Sequence, residues 1–212
     1  MSSSSSRTGG VPPPPALLLI DLQRGKAEAS PGLSLANLQG EFAPVCSSAA
    51  ALSLPDAEVL SVLPCDPASA DMLALLRASD NYMAALYPAE SNHLVSPDQL
   101  RQANTLFLGA FQAGRVLGCG AVRVLDDDGR YGEIKRVFVP PSERGRGAAR
   151  AIMARLESHL RGLGVGCARL ETGVHQPEAI GLYRRLGYRE RPAFGAYQPD
   201  PLSLFMEKAL LP

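Results

Sequence analysis

The chain has 212 residues, 46% of them hydrophobic, and its 21 basic side chains balance 21 acidic ones. That length builds one globular domain with an ordinary core, with or without a tail. Zero net charge supplies no bulk field to hold nucleic acid or a membrane, so neither is expected as a partner. Cys46, Cys65, Cys119 and Cys167 lie far apart without a C-x-x-C pair, and His93, His159 and His175 show no ligand spacing. No metal is therefore expected, and the thiols read as free in a reducing compartment.

Residues 1–57 differ from the rest. Ser2–Ser6 is a serine run, Pro12–Pro15 a proline run, and Gly, Ala, Pro and Ser dominate through Pro55. Such a composition buries too little apolar surface to offset chain entropy, which predicts a disordered N-terminal extension. The first twenty residues hold Arg7 and no acid. A plain tail on a cytoplasmic protein is the leading expectation, and import into an organelle through this extension is the alternative. The apolar run Ala16–Ile20 is far too short to span a bilayer. Ala16–Gln23 is similar to the first strand of isochorismatase-type hydrolases, but nothing after it continues that likeness.

From residue 58 the pattern becomes regular. Glu58–Leu63 predicts a short strand ending at Pro64. Ser69–Leu86 has helical spacing in Met72, Leu75, Leu76, Met83 and Leu86, with Asp66 and Ser69 as candidate caps. A polar loop, Tyr87–Leu94, follows, and Ser96-Pro97 opens a short helix. Thr105–Ala113 and Leu117–Leu125 read as strands joined by a turn at Gly114-Arg115. Asp126–Gly129 is a solvated turn, too unpatterned for a calcium loop. Tyr131–Val139 is the third strand of this meander, closed by Pro140-Pro141. Gly147–Leu163 is an amphipathic helix with Ile152, Leu156, Leu160 and Leu163 on one stripe. Val165–Thr172, Glu178–Leu186 and Leu202–Lys208 follow as strand, helix and strand. Hairpins mixed with crossovers do not fit a doubly wound parallel sheet. They predict an α+β fold, a mixed sheet with helices packed on it.

The chemistry concentrates where the meander ends. In the span from Val137 to Ala149 a strand stops, a short loop with Gly145 and Gly147 follows, and a helix begins. A helix start carries unpaired N–H groups and the positive end of the macrodipole. Glycine lets such a backbone come close enough to cradle phosphate oxygens. From Lys135 to Arg155 the chain holds Lys135, Arg136, Arg144, Arg146, Arg150 and Arg155 against the single acid Glu143. These features together predict a diphosphate-binding turn. The segment is neither a G-x-x-x-x-G-K-[ST] P-loop nor a G-x-G-x-x-G dinucleotide fingerprint.

Here the sequence resembles the GNAT superfamily of N-acetyltransferases over about residues 57–210. The family's pyrophosphate signature, [Q/R]-x-x-G-x-[G/A], is matched by Arg144-Gly145-Arg146-Gly147-Ala148-Ala149. The second signature, N-x-x-A-x-x-x-Y-x-x-x-G-[F/Y], is matched from Gln176 through Ala179, Tyr183 and Gly187 to Tyr188, with Gln176 in place of Asn. Leu86–His93, Gly132–Arg136, Leu170–Gly173 and Pro201–Lys208 resemble a bacterial-type subgroup of small-molecule acetyltransferases. The resemblance implies an acyl-CoA N-acyltransferase fold over 58–212, mostly antiparallel and flanked by helices. It also implies acetyl transfer from acetyl-CoA to a primary amine, most simply of a small molecule. A protein or peptide acceptor and a non-catalytic acyl-CoA-binding module are the alternatives. Relatives are often homodimers, although no dimerisation signal stands out in this sequence.

The resemblance also assigns roles. Val137, Phe138, Val139, Arg144, Gly145, Arg146, Gly147, Ala148, Ala149 and Gln176 are expected to bind the cofactor, with strand backbone pairing to the pantetheine arm. Tyr183 is the candidate acid at the thiolate, against a plain packed aromatic, and Tyr188 reads as core. Glu133 is the candidate base. Its alternatives are a structural carboxylate paired with Arg123, Lys135 or Arg136, and deprotonation relayed by water. Glu90 and His93 are expected to border the acceptor. If Arg123, Lys135 or Arg136 faces the cleft, the acceptor would carry a carboxylate or phosphate near its amine.

Overall fold

The structure, a computed structural model, describes residues 19–21, 26–28, 59–91 and 94–210. The chain divides into Met1–Pro55 and Asp56–Pro212. In the first unit β1 (Leu19–Asp21) pairs antiparallel with β2 (Lys26–Glu28), Ile20 opposite Ala27. Otherwise the extension expected to be disordered lies outside the described residues, as does His93. No helix among the described residues is long and apolar enough to cross a membrane.

The second unit runs β3 (Ser61–Pro64), α1 (Ala70–Ala84), α2 (Pro97–Leu100), β4 (Thr105–Gln112), β5 (Arg115–Leu125) and β6 (Tyr131–Phe138). It continues with α3 (Ala148–Gly162), β7 (Cys167–Gly173), α4 (Pro177–Arg185), β8 (Arg189–Arg191) and β9 (Ser203–Ala209). Seven strands form one sheet in the order β3-β4-β5-β6-β7-β9-β8. Every pairing is antiparallel except β6 with β7. This is the expected mixed α+β sheet. β8 has no counterpart in the sequence reading, because Arg-Glu-Arg carries no apolar alternation. Ser96 and Gln99 form a full capping box on α2.

One turn moves. Gln112 pairs with Arg115, so the hairpin turns at Ala113-Gly114 rather than at Gly114-Arg115, and β5 starts two residues before Leu117. Both turn residues have positive φ, 52° and 73°. This is the demand of a twisted two-residue hairpin, and alanine does not announce it.

Two helix layers sandwich the sheet. On one face Ile152, Met153, Leu156 and Leu160 of α3 are fully buried against Val122, Ile134 and Leu170. Each such side chain contributes about 1.5–3 kcal/mol by burial. On the other face Met72, Leu75 and Leu76 of α1 and Leu100 of α2 cover Phe107, Cys119, Ala121 and Phe138.

The feature that shapes the site is a bulge in β6. Ala121 pairs with Lys135 but Cys119 pairs with Phe138, and Arg136 takes φ +56°. The extra residue reverses the in–out alternation. Val137 and Val139 therefore join Ile134 on the α3 face, while Phe138 turns to α1. Arg136 is fixed in this conformation by an ion pair to Asp80 of α1 and by donation to the Val95 carbonyl at 2.9 Å.

Candidate active site

Pairing between β6 and β7 stops at Ile134 opposite Leu170, though β6 runs on to Phe138 and β7 to Gly173. Beyond that point the strands part and a cleft of about 410 Å³ opens. Val137, Phe138 and Val139 line one side, and Gln176, Ala179, Leu182 and Tyr183 of the α4 segment line the other. At its mouth lie Arg144, Gly145, Gly147, Ala148, Ala149 and Arg150. Gly145 and Gly147 both have φ +82° with open space where a Cβ would stand. Gly147 is the N-cap of α3, with no side-chain cap and no acid in the first turn. The free N–H groups, the helix dipole and two guanidinium groups thus face the same opening. Arg144 is steadied over the Tyr82 ring, 5.4 Å from its centroid.

Arg146, expected with this group, is not on the cleft wall. It turns back to Glu143 at 3.5 Å and to the Gln112 side chain at 3.4 Å. Glu143 is buried at the base of the loop and also takes Arg115 at 2.7 Å. Arg146 and Arg115 thus serve to neutralise a buried carboxylate beneath the turn.

Tyr183 is buried, and its ring meets Tyr188 edge-on at 5.9 Å. Burial, then the nearby Glu171 charge, pushes its hydroxyl well above the usual tyrosine range, so it stays a neutral donor. Tyr188 is core, as expected.

A second cavity, about 640 Å³, lies beside β5 and β6. Arg123, Glu133 and Lys135 line it from the strands, and Tyr197–Pro201 close it from the loop before β9. Glu133 is 4% exposed and sits among cations, with Arg123 at 3.6 Å and Lys135 at 3.9 Å. Tyr197 donates to Glu133 at 2.8 Å and stands 2.6 Å from the Lys135 ammonium, bridging the two. Burial pushes Lys135 below the usual lysine range, against the pull of Glu133 and Glu171. Of the structural partners expected for Glu133, Arg123 and Lys135 are in place, whereas Arg136 is committed to Asp80.

A third space of about 80 Å³, termed the passage below, borders both of these spaces. Its lining shares Val137, Gln176 and Tyr183 with the cleft, and Leu94 and Lys135 with the second cavity. The corner between β7 and α4 that forms one wall is pinned by Tyr87. The Tyr87 hydroxyl accepts from the His175 N–H at 2.9 Å, and its ring stacks on His175 and fills the space a Cβ at Gly173 would need.

The structure thus brings together every expected cofactor residue except Arg146, and it sets Tyr183 at the junction. Glu133 lies in the second cavity, off the passage. The Glu90 side chain and His93 lie outside what is described. Tyr82, Tyr87 and Tyr197 were not anticipated as site residues. Tyr82 and Tyr87 come from the end of α1 and the turn after it, and Tyr197 from the loop before β9, so their contacts with the site are long-range and leave no local signal. The aspartate turn is exposed, as expected, and it also makes contacts: Asp127 accepts from Tyr131 at 2.8 Å, and Asp128 pairs with Arg169 at 2.9 Å. Among the described residues no group of His, Cys, Asp or Glu is placed to hold a metal ion.

A split mixed sheet, a bulged strand and a phosphate-type turn at the start of α3 define an acyl-CoA N-acyltransferase fold. Comparison with known proteins specifies the family. The Acetyltransferase (GNAT) family profile matches residues 72–188, and the chain belongs to that family. It is 47% identical over 139 residues to an IAA acetyltransferase of Azospirillum brasilense, an alignment spanning 66% of this chain and 90% of the relative. It is 30% identical to the uncharacterized N-acetyltransferase YsnE of Bacillus subtilis, over 66% of this chain and 92% of that one. A crystal structure described as an acyl-CoA N-acyltransferase from Klebsiella pneumoniae superposes with a TM-score of 0.61 at 35% identity. That match covers 73% of this chain and 99% of that one.

Proposed function

We propose that this acetyltransferase uses acetyl-CoA as the donor and the primary amine of a small molecule as the acceptor. The observation that carries this reading is the passage at Tyr183, since its walls belong in part to the cleft and in part to the second cavity. A thioester lying along Val137–Val139 with its diphosphate at Gly145–Ala149 would present its acyl carbon there. An amine entering from the second cavity would meet it.

In this reading the amine lone pair attacks the thioester carbon, the N–C bond forms and the C–S bond breaks. A backbone N–H of the parted β6 strand polarises the carbonyl. Glu133 takes the ammonium proton through solvent, since it lies in the cavity but off the passage. Tyr183 donates a hydrogen bond to the leaving thiolate. With its hydroxyl held far above the thiol range, it stabilises the thiolate as a donor rather than surrendering its proton outright, and the second proton, shed by the nitrogen once the N–C bond has formed, passes through solvent to the thiolate. Gln176 and Tyr87 hold the wall of the passage. Cys65, Cys119 and Cys167 are free thiols, which fits a cytoplasmic setting.

The test is thiol release from acetyl-CoA in the presence of a panel of small primary amines, with thermal unfolding in acetyl-CoA alongside. Stabilisation by acetyl-CoA, with amine-dependent release above background hydrolysis, is the expected result. Stabilisation without release for any amine would leave a binding module, and no stabilisation at saturating acetyl-CoA would remove the donor site.

A further inference from the structure

We propose that the acceptor of this enzyme carries a carboxylate as well as its amine, and that Arg123 and Lys135 in the 640 Å³ cavity are its anion-binding residues. The inference rests on the acetyl-transfer reading and concerns the cavity alone.

The Arg123 side chain has the donor capacity of a full guanidinium fork and makes no hydrogen bond among the described residues. Its Nε is shut away from solvent without a partner. Its nearest anion, Glu133, stands at 3.6 Å, an ion-pair separation beyond good hydrogen-bond geometry. Glu133 already accepts from Tyr197 through its other oxygen. The Arg123 side chain is partly exposed to the cavity, so its terminal N–H groups are open to an anion there while the buried Nε lacks a partner.

Lys135 is in a similar state. Its ammonium has three donors, but its close partner is the Tyr197 hydroxyl at 2.6 Å, with Glu133 at 3.9 Å. The two cations project from neighbouring strands, because Arg123 pairs with Glu133 and Ala121 with Lys135. They lie on one face, on either side of one carboxylate. The other acids lining the cavity are engaged: Asp127 accepts from Tyr131, and Asp200 accepts from the Leu202 N–H at 2.8 Å. Arg123 and Lys135 therefore keep N–H donors that Glu133 does not fill, and these donors, rather than a net positive charge of the lining, are what a second carboxylate would meet.

The rest of the lining describes the remainder of the acceptor. Leu94, Leu125, Tyr197, Pro199 and Pro201 give an apolar wall. Lys135 alone of the two cations also lines the passage, so a carboxylate held between them sits close to the reacting amine. The chemistry recognised is therefore an amino acid or amino-acid-like amine with an apolar or aromatic body.

The experiment uses the full chain and matched pairs that differ only in the carboxylate: L-phenylalanine against phenethylamine, and L-leucine against isoamylamine. Rates of thiol release at saturating acetyl-CoA should favour the carboxylate member by about tenfold or more in kcat/KM, the factor worth about 1.4 kcal/mol. Arg123→Gln and, separately, Lys135→Met should collapse that ratio chiefly through KM. Thermal unfolding and acetyl-CoA binding of each variant show that it folds. Equal or better turnover of the decarboxylated amines would overturn the carboxylate site and leave acetyl transfer standing. If no amine reacts, acetyl transfer falls, and calorimetry of N-acetyl-L-phenylalanine against N-acetylphenethylamine decides the site by binding alone. Tighter binding of the carboxylate, lost in Arg123→Gln, supports the site, and equal binding overturns it.

Discussion

The cleft takes its walls from two stretches of chain, 137–150 and 176–185, with Tyr82 added. The cavity on the other side of the passage gathers Leu94 and Gln99, Arg123 and Leu125, Tyr131 to Lys135, and the loop 196–201. The cleft offers mostly backbone and a helix start, and the cavity offers mostly side chains. A diphosphate and a pantetheine amide can be held by main chain, which any sequence with the right glycines supplies locally. An acceptor is told from its competitors by side chains, and those must come from several elements at once. The donor site is therefore the part that relatives can share, and the acceptor site the part in which they can differ.

That contrast can be broken from either side. The largest expected effect is on chemistry. Glu133→Gln should lower kcat about 100-fold or more while leaving the acetyl-CoA KM in place. An unchanged kcat in steady-state rates would mean that Glu133 serves only to pair Arg123 and Lys135. Next comes the donor site. Reversing both Arg144 and Arg150 to Glu should weaken acetyl-CoA binding about 100-fold, given about 1.5–3 kcal/mol for each charge-assisted contact. Loss of the acetyl-CoA-induced rise in melting temperature would show it.

Tyr183→Phe should cost about 10- to 100-fold in kcat, the worth of one hydrogen bond to a charged group. A parallel rise in the acetyl-CoA KM would instead mark Tyr183 as packing. A smaller effect concerns pH. Lys135 is charged below its pKa and neutral above it, and burial places that pKa below 10.5. Binding of an N-acetylated amino acid, which has no amine of its own to titrate, should therefore weaken as pH rises, with a midpoint below 10.5. Lys135→Arg should remove that alkaline loss, as calorimetry across pH would show. The smallest effect is at Arg146, which pairs with Glu143 and Gln112 away from the cleft. Arg146→Ala should change acetyl-CoA affinity by no more than about threefold, since its guanidinium is turned to Glu143 and Gln112 and Arg115 remains to pair Glu143. A large loss would place its guanidinium on the phosphates.

The comparison also explains where the sequence reading succeeded. Strand, glycine turn and helix are contiguous from Tyr131 to Gly162, so period and glycine placement announced both the elements and the chemistry at their junction. The second signature is local for the same reason, because one short helix, from its N-cap Gln176 to its last turn, holds Gln176 and Tyr183 on one side of the cleft. Arg146 stands apart because a signature fixes a residue's place along the loop but not the direction of its side chain. Its target is Glu143 of the same loop, which looked like a lone acid among cations. The turn at Ala113 was misplaced because a left-handed alanine is imposed by the strands on either side of it.

From sequence alone followed the α+β class, the order of most elements, the phosphate-type turn and the family likeness, since all of these depend on residues within a few turns of one another. Tertiary structure alone decided the bulge at Arg136, locked by Asp80 from α1, and with it which side chains of β6 face the cleft. It also decided the Lys135–Tyr197–Glu133 bridge and the Tyr87 pin beneath His175. Those contacts join residues 56, 62, 64 and 88 positions apart. No local pattern encodes such pairings, because they exist only once burial has brought the segments together and each buried polar group has had to find a partner.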